Sequence, residues 1–243
     1  MKKSLPVFLL FFIAALPVLS QPLQPFEGCP GVSVAITRPG FNLNFVPHQI
    51  YLIDDTTGAV QPSGNPINLQ INAFGLNMVD GFIYGMHQTY DVVSPLLTRV
   101  DKNGDWEIVG TIPAPEFGRY KTGFINTAAG TMDDEDNYYF TAVVINLRNI
   151  LAPPELYSGK ISNVSELKAG ERKLKVTYKK ISTGSCTDEF LMALSNPLNG
   201  VLQDIAYNPG DGRIYTYFPG LNNGPGKIAY YNAGSNSPSF VCL

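Results

Sequence analysis

One phrase occurs twice in this chain, almost letter for letter. Ile71-Asn-Ala-Phe-Gly-Leu-Asn-Met-Val-Asp-Gly-Phe-Ile-Tyr-Gly-Met86 lies without a gap over Leu202-Gln-Asp-Ile-Ala-Tyr-Asn-Pro-Gly-Asp-Gly-Arg-Ile-Tyr-Thr-Tyr217. Asn77, Asp80, Gly81, Ile83 and Tyr84 match Asn208, Asp211, Gly212, Ile214 and Tyr215. Self-similarity of this kind implies a fold made by stacking copies of one unit, each unable to bury its apolar face alone. Asp-Gly is a preferred hairpin turn because glycine takes positive φ at no steric cost. Strand-like runs stand before and after each Asp-Gly, so the repeated unit is an antiparallel hairpin.

A third, worn copy lies between the two. It sets Asp133 opposite Asn77 and Asp136-Asn137 opposite Asp80-Gly81. Asparagine tolerates the left-handed conformation, so a turn survives there. A second strand type recurs after the hairpins and ends in a polar turn. Gln49-Ile-Tyr-Leu-Ile-Asp-Asp-Thr-Thr-Gly58 and Leu96-Leu-Thr-Arg-Val-Asp-Lys-Asn-Gly104 are clear versions, and segments 155–161 and 227–232 are looser ones. Asp105-Trp-Glu-Ile-Val-Gly110 reads as a return strand. Four antiparallel strands in about 45–50 residues is the period of a β-propeller blade. The expected fold is therefore all-β, a propeller-like array of four to five antiparallel units, with a β-sandwich as the alternative. Segment 31–36 is expected to supply a strand missing from the last unit. Segment 149–180 reads as an inserted loop or a degenerate strand pair, and 166–173 is the one helix-like stretch.

The start of the chain sets the compartment. Met1-Lys2-Lys3 precedes an apolar run, and Val18 and Ser20 suit the −3 and −1 sites of a signal peptidase cutting before Gln21. The run is too short for a membrane anchor, and no later segment reads as a membrane span. The expected organisation is a signal peptide over residues 1–20 and a single propeller-like β-repeat domain over 21–243, secreted or held at the cell surface. Loss of Lys2 and Lys3 takes the net charge from −3 to −5. Mild acidity without a Lys/Arg cluster argues against a nucleic-acid partner. The most basic stretch, 172–180, alternates charged and apolar residues and reads as a strand with one solvated face.

In an oxidising compartment the three cysteines, Cys29, Cys186 and Cys242, leave one over. Cys29 and Cys186 each open a new run of strands and read as equivalent repeat positions. The expected bridge is therefore Cys29–Cys242, stapling the ends of the chain. Asn163-Val-Ser165 is a glycosylation sequon in a eukaryotic host.

The phrases Ile-Asn-Ala-Phe-Gly-Leu-Asn, Asp-Gly-Phe-Ile-Tyr-Gly and Leu-Thr-Arg-Val-Asp-Lys-Asn-Gly-Asp resemble an uncharacterised family of secreted, propeller-like repeat domains. So does Leu-Gln-Asp-Ile-Ala-Tyr-Asn-Pro-Gly-Asp-Gly-Arg-Ile-Tyr. Such domains are often found in bacterial surface or adhesin-type proteins. The resemblance runs from about Cys29 onward and implies a fold and a location, with no catalytic motif attached.

Chemistry is sparse. His48 and His87 read as surface or rim residues, and neither Cys-x-x-Cys nor His-x-x-x-His spacing marks a zinc site. Gly-x-Ser-x-Gly, a Walker loop and a dinucleotide fingerprint are all missing from the sequence. Two acidic clusters suit calcium in part. Asp101-Lys-Asn-Gly-Asp105-Trp-Glu107 has oxygen ligands at alternate positions but no glycine at the sixth, and Ile112 stands at the twelfth. Asp133-Asp-Glu-Asp136 sets four acids in a row. Both read first as solvated turns, with calcium as the alternative, so no cofactor is assigned. Tyr138, Tyr139, Tyr215, Tyr217, Tyr230 and Tyr231 suit either a sugar-stacking face or half-buried strand positions.

The reading that results is a secreted, non-enzymatic binding or interaction module, tied to the cell surface or adhesion. Its partner would be an extracellular protein or glycan, met by segments 87–95 and 218–226. The competing readings are a calcium-dependent propeller hydrolase or lactonase, with Asn77 and Asn208 as channel ligands, and an architectural cap of a larger extracellular assembly.

Overall fold

A computed structural model describes residues 22–26, 32–37, 47–69, 71–87, 95–115, 122–126, 129–146, 154–171, 173–186, 204–218 and 226–243. The signal segment and Cys29 lie outside these residues, as do most of segments 87–95 and 218–226. Among the described residues all regular structure is strand, apart from a 3-10 turn at Val164–Glu166. The helix-like stretch 166–173 is therefore no helix.

The strands form four antiparallel sheets. The first holds β1 (Val32–Thr37), β2 (His48–Asp54) and β3 (Val60–Ile67). The second holds β4 (Ile71–Leu76), β5 (Ile83–His87), β6 (Leu96–Val100) and β7 (Trp106–Thr111). In the third, β8 (Thr122–Asn126) and β9 (Gly130–Met132) share the inner edge of β10 (Asn137–Asn146). Outside them lie β11 (Glu155–Ser162) and β12 (Thr177–Lys180). The fourth runs β13 (Ile205–Asn208), β14 (Arg213–Phe218), β15 (Lys227–Asn232) and β16 (Val241–Cys242). The four sheets follow one another around a common axis in a ring-like arc, as the blades of a four-bladed β-propeller, and the outward side of the fourth sheet is exposed. The sandwich alternative fails, and the number of units is the lower of the two expected. The inner strands β4, β9 and β13 are neighbours.

Side-chain alternation explains why the sheets must stack. On β5, Ile83 faces the first sheet while Tyr84 and Met86 face the third. On β10, Tyr138 and Phe140 turn to the second sheet and Tyr139 and Val143 to the fourth. Three apolar clusters fill three successive junctions: Ile50, Ile67 and Ile71 in the first, Met86, Leu97 and Phe140 in the second, Tyr139, Ile214 and Phe240 in the third. A fully buried side chain of this size contributes roughly 1.5–3 kcal/mol, whereas an isolated hairpin is marginal in water. Each blade is thus held chiefly by its neighbours.

Three segments bear on the expected strand order. Segment 31–36 does not complete the last unit: β1 pairs with β2, and the fourth sheet has four strands of its own. Of the two readings of segment 149–180 the strand pair holds: it contributes β11 and β12 to the third sheet. The basic stretch 172–180 supplies only the short edge strand β12, on which Tyr178 packs under Phe140. Among the described residues the incomplete blade is the first. Its long connection precedes β2 and its tight turn follows it, so β1, β2 and β3 match the second, third and fourth strands of the other blades.

The cysteine pairing differs as well. Cys242 is bonded to Cys186, not to Cys29. Ser182 donates its N–H to Pro238 O and Ser185 to Phe240 O, so segment 181–186 runs beside β16 and brings the two Cα atoms to 5.4 Å. The bridge staples the exit of the third blade to the outer strand of the fourth.

Candidate functional site

One asparagine or aspartate device closes the turns at one end of the ring. Asn77 O accepts from Gly81 N and its Oδ1 from Val79 N, at 2.9 and 3.1 Å. Asn208 repeats this with Gly212 and Gly210, and Asp54 with Gly58 and Thr56. Backbone and side-chain bonds from Thr57, with the N–H of Thr56, hold the Asp54 carboxyl below the usual carboxylate range. Asp101 and Asp133 close turns one residue shorter. Asp101 Oδ1 accepts from Asn103 N and Asp105 N, and Asp133 Oδ1 from Glu135 N and Asn137 N. The glycine-like conformation falls on Gly58, Gly81, Gly104 and Gly212, and on Asp136 at φ 63°.

That last position corrects the alignment of the third copy. Because its loop is one residue shorter, Asp136 itself corresponds to Gly81, and Tyr138 and Tyr139 to Ile83 and Tyr84. A side chain at this strained position has compensation. Asp136 accepts from Asn77 Nδ2 at 2.7 Å, from Ser165 Oγ at 2.6 Å and from Ser165 N at 3.1 Å. It thereby latches the second blade's turn to the third blade.

The acidic clusters are largely committed within these turns. Asp101 is fully buried, and its Oδ2 also accepts from Gln24 N at 2.7 Å. Asp133 Oδ2 takes Asn137 Nδ2 at 2.8 Å. Among the described residues, no three His, Cys, Asp or Glu side chains are grouped to hold a metal ion. Residues 22–26, just beyond the expected cleavage point, lie across two turns of the second blade. There Phe26 N donates to Gly81 O, and Lys102 N to Gln24 O.

The opposite end is built differently. Within each blade successive strands alternate direction, so the second strand ends, and the third begins, away from the tight turns. The sequence between those strand ends is 88–95, 147–154 and 219–226, eight residues each, and 38–47 in the first blade, nearly all of it outside the described residues. Their sequences share little beyond a proline near the exit, whereas the turns repeat.

The remaining sequence-predicted residues are scattered. His48 is no rim residue: it is 7% exposed and meets the Phe74 ring edge-on at 5.7 Å. His87 is half-buried at the end of β5. Asn163 is exposed, at φ 54°, before the 3-10 turn. Asn77 and Asn208 sit at the turn end, and Asn77 is spent on its own turn and on Asp136. Tyr138, Tyr139 and Tyr231 are buried between blades, while Tyr215, Tyr217 and Tyr230 lie on the outward side of the fourth sheet.

Sequence reasoning missed a paired element inside the repeat. Tyr84 donates its hydroxyl to Asp80 Oδ2 at 2.6 Å, and Tyr215 does the same to Asp211 at 2.7 Å. Beside each lies a cation over a ring, Arg99 on Phe82 and Arg213 on Tyr230. The two pairs occupy the same two cross-strand sites with cation and ring exchanged. The signal was the Tyr-four-after-Asp spacing present in both copies.

A family model described as a repeat of unknown function (DUF6923) matches residues 47–225. No curated protein matches the chain. Among solved structures it is similar to TolB from Acinetobacter baumannii, at 13% identity and a TM-score of 0.41, over 85% of this chain and 40% of that one. It is also similar to a putative 6-phosphogluconolactonase from Bacteroides uniformis, at 9% identity and a TM-score of 0.42, over 87% and 54%. A Synechocystis apocarotenoid oxygenase mutant gives 10% identity and 0.40, over 87% and 46%. The chain spans about half the length of these proteins, or less.

Proposed function

The chain belongs to this DUF6923 repeat family, and from that premise we propose that it is a secreted, non-catalytic binding module. Its ligand is an extracellular protein or glycan. The observation that carries the reading is the difference between the two ends of the ring. Among the described residues one end is spent on six Asn- or Asp-closed turns, that of Asn232 included, whose polar groups bond within them. The other carries connections of matched length and unmatched sequence, the usual signature of recognition loops on a fixed scaffold.

Secretion is supported by the apolar, small-residue-terminated start of the chain and by the Cys186–Cys242 bridge, since such bridges persist in oxidising compartments. Among the described residues no helix is long and apolar enough to cross a membrane.

The test replaces segments 88–95 and 219–226 by Gly-Ser chains of equal length. Glycan arrays and cross-linking in the native extracellular fraction are then compared with the parent protein. Loss of the captured partner at unchanged melting temperature is expected. Full retention of every interaction would place recognition elsewhere.

A further inference from the structure

The fourth blade presents a surface that its own repeat partners bury. In the second blade, the side turned toward the next blade carries Tyr84, Met86 and Leu97, all fully buried under the third blade. Cross-strand pairing sets Met86 opposite Leu97 and, in the fourth blade, Tyr217 opposite Ile228. Met86 corresponds to Tyr217 and Leu97 to Ile228. The first pair is 0% exposed, whereas Tyr217 is 50% and Ile228 53% exposed. Val241 extends the same apolar strip onto β16, opposite Tyr230. In the third blade the corresponding residues Tyr139, Thr141 and Ser158 are buried again, with the Tyr139 ring parallel to Tyr207 of the following blade.

The polar fittings of that junction are present too. Tyr215 bonds Asp211 and Arg213 lies over Tyr230, as Tyr84 bonds Asp80 and Arg99 lies over Phe82. In the second blade these groups are completed by the third: Tyr84 also donates to Val164 O, Arg99 to Leu167 O, and Asn77 to Asp136. Asn208, the counterpart of Asn77, is exposed.

We propose that the outward side of the fourth sheet, centred on Tyr217, Ile228 and Tyr230, is a docking surface for a second copy of this chain, received through the outward side of its first sheet. The occupant must have the surface of a blade of this repeat, because the same positions meet such a blade at the second and third junctions. In the first sheet, Val34, Ile36 and Ile50 turn to the second blade, which leaves Ala35, Tyr51 and Ile53, half-buried, on the opposite side. The contact is head-to-tail, fourth sheet to first sheet, and two copies close it into a ring with two equal junctions. The surface borders segment 219–226, since a Cβ on Gly226 would meet the Tyr217 hydroxyl, and the two readings are told apart by their readouts: self-association here, partner capture there.

Sedimentation velocity and light scattering on the intact mature chain test it. One variant carries Tyr217→Glu with Ile228→Glu, and a second carries Tyr51→Glu with Ile53→Glu; circular dichroism and melting confirm that each is folded. The parent is expected to have the mass of two copies and each variant that of one. An equal mixture of the variants should regain the two-copy mass, because one intact junction survives between them. A parent monomeric at every concentration overturns the proposal, as does a first-sheet variant that remains dimeric. A monomer that binds oligosaccharide through Tyr217 also overturns it, in favour of a sugar-stacking face.

Discussion

Asp136 combines two roles that the other turns divide between residues. It adopts the left-handed conformation that Gly81 and Gly212 supply elsewhere, and its carboxylate bonds Asn77 and Ser165 across a blade junction. Asp136→Gly would remove a backbone penalty of about 1 kcal/mol but leave the buried Asn77 amide and the Ser165 hydroxyl without their acceptor, at about 1–3 kcal/mol. The lost bonds outweigh the relieved strain. Chemical denaturation is expected to show a net loss of about 1–2 kcal/mol, despite glycine's better fit to the turn. A second residue-scale prediction separates conformation from crowding. Gly104 and Gly212 both have positive φ, but a Cβ on Gly104 would lie 2.1 Å from Asn65 O, whereas one on Gly212 meets nothing within 4 Å. Gly212→Ala should therefore lose only the conformational cost, roughly 1–2 kcal/mol. Gly104→Ala should lose clearly more, because it also pushes β3 away from the second blade. Denaturation midpoints of the two variants check the order.

Among elements, those written as patterns were legible. The hairpins at Asp80-Gly81 and Asp211-Gly212 became β4–β5 and β13–β14, and the four strands ending in polar turns became β2, β6, β11 and β15. Turn chemistry is local, so it shows in sequence. Registers that depend on a neighbouring blade did not show. The register of Asp136 differs by one residue from the one its sequence suggests, because its loop is shorter and its side chain is satisfied by Ser165, 29 residues away. The cysteine pairing depends on segment 181–186 running along the next blade's outer strand, a long-range contact with no sequence signature. The Tyr–Asp fitting is visible as spacing, but its role depends on whether a neighbouring blade covers it, as at Tyr84, or not, as at Tyr215. The bridge supports an element-scale prediction. Cys186 and Cys242 are 56 residues apart, and closing a loop of that length stabilises by roughly 4 kcal/mol on the chain-entropy account. Cys186→Ala should lose a large part of that, and hydrogen exchange should quicken first in β15 and β16, where the outer strand is only two residues long. Equal loss of protection in the second sheet would contradict a local staple.

For the whole molecule, the tyrosines at the blade junctions tie stability to alkaline pH. Burial raises the hydroxyls of Tyr84, Tyr138, Tyr178 and Tyr231 well above the ordinary value of 10.0, with Asp80 adding its charge at Tyr84. Burial, and after it the charge of Asp133, raises Tyr139 in the same direction. The folded protein therefore keeps these protons at a pH where the unfolded chain has lost them. The contribution is fully present below about pH 10 and is lost as pH rises toward the folded values. Each such group adds a slope of about 1.4 kcal/mol per pH unit. Because the five are spread over the second, third and fourth blades and the two junctions between them, they should ionise together with unfolding, not one by one. Phenolate absorbance and far-ultraviolet circular dichroism, followed from pH 9 to 12.5, are expected to change in one coincident, steep transition. A gradual phenolate rise across all tyrosines, with the dichroism unchanged, would mean that the junctions admit hydroxide and do not act as closed apolar layers.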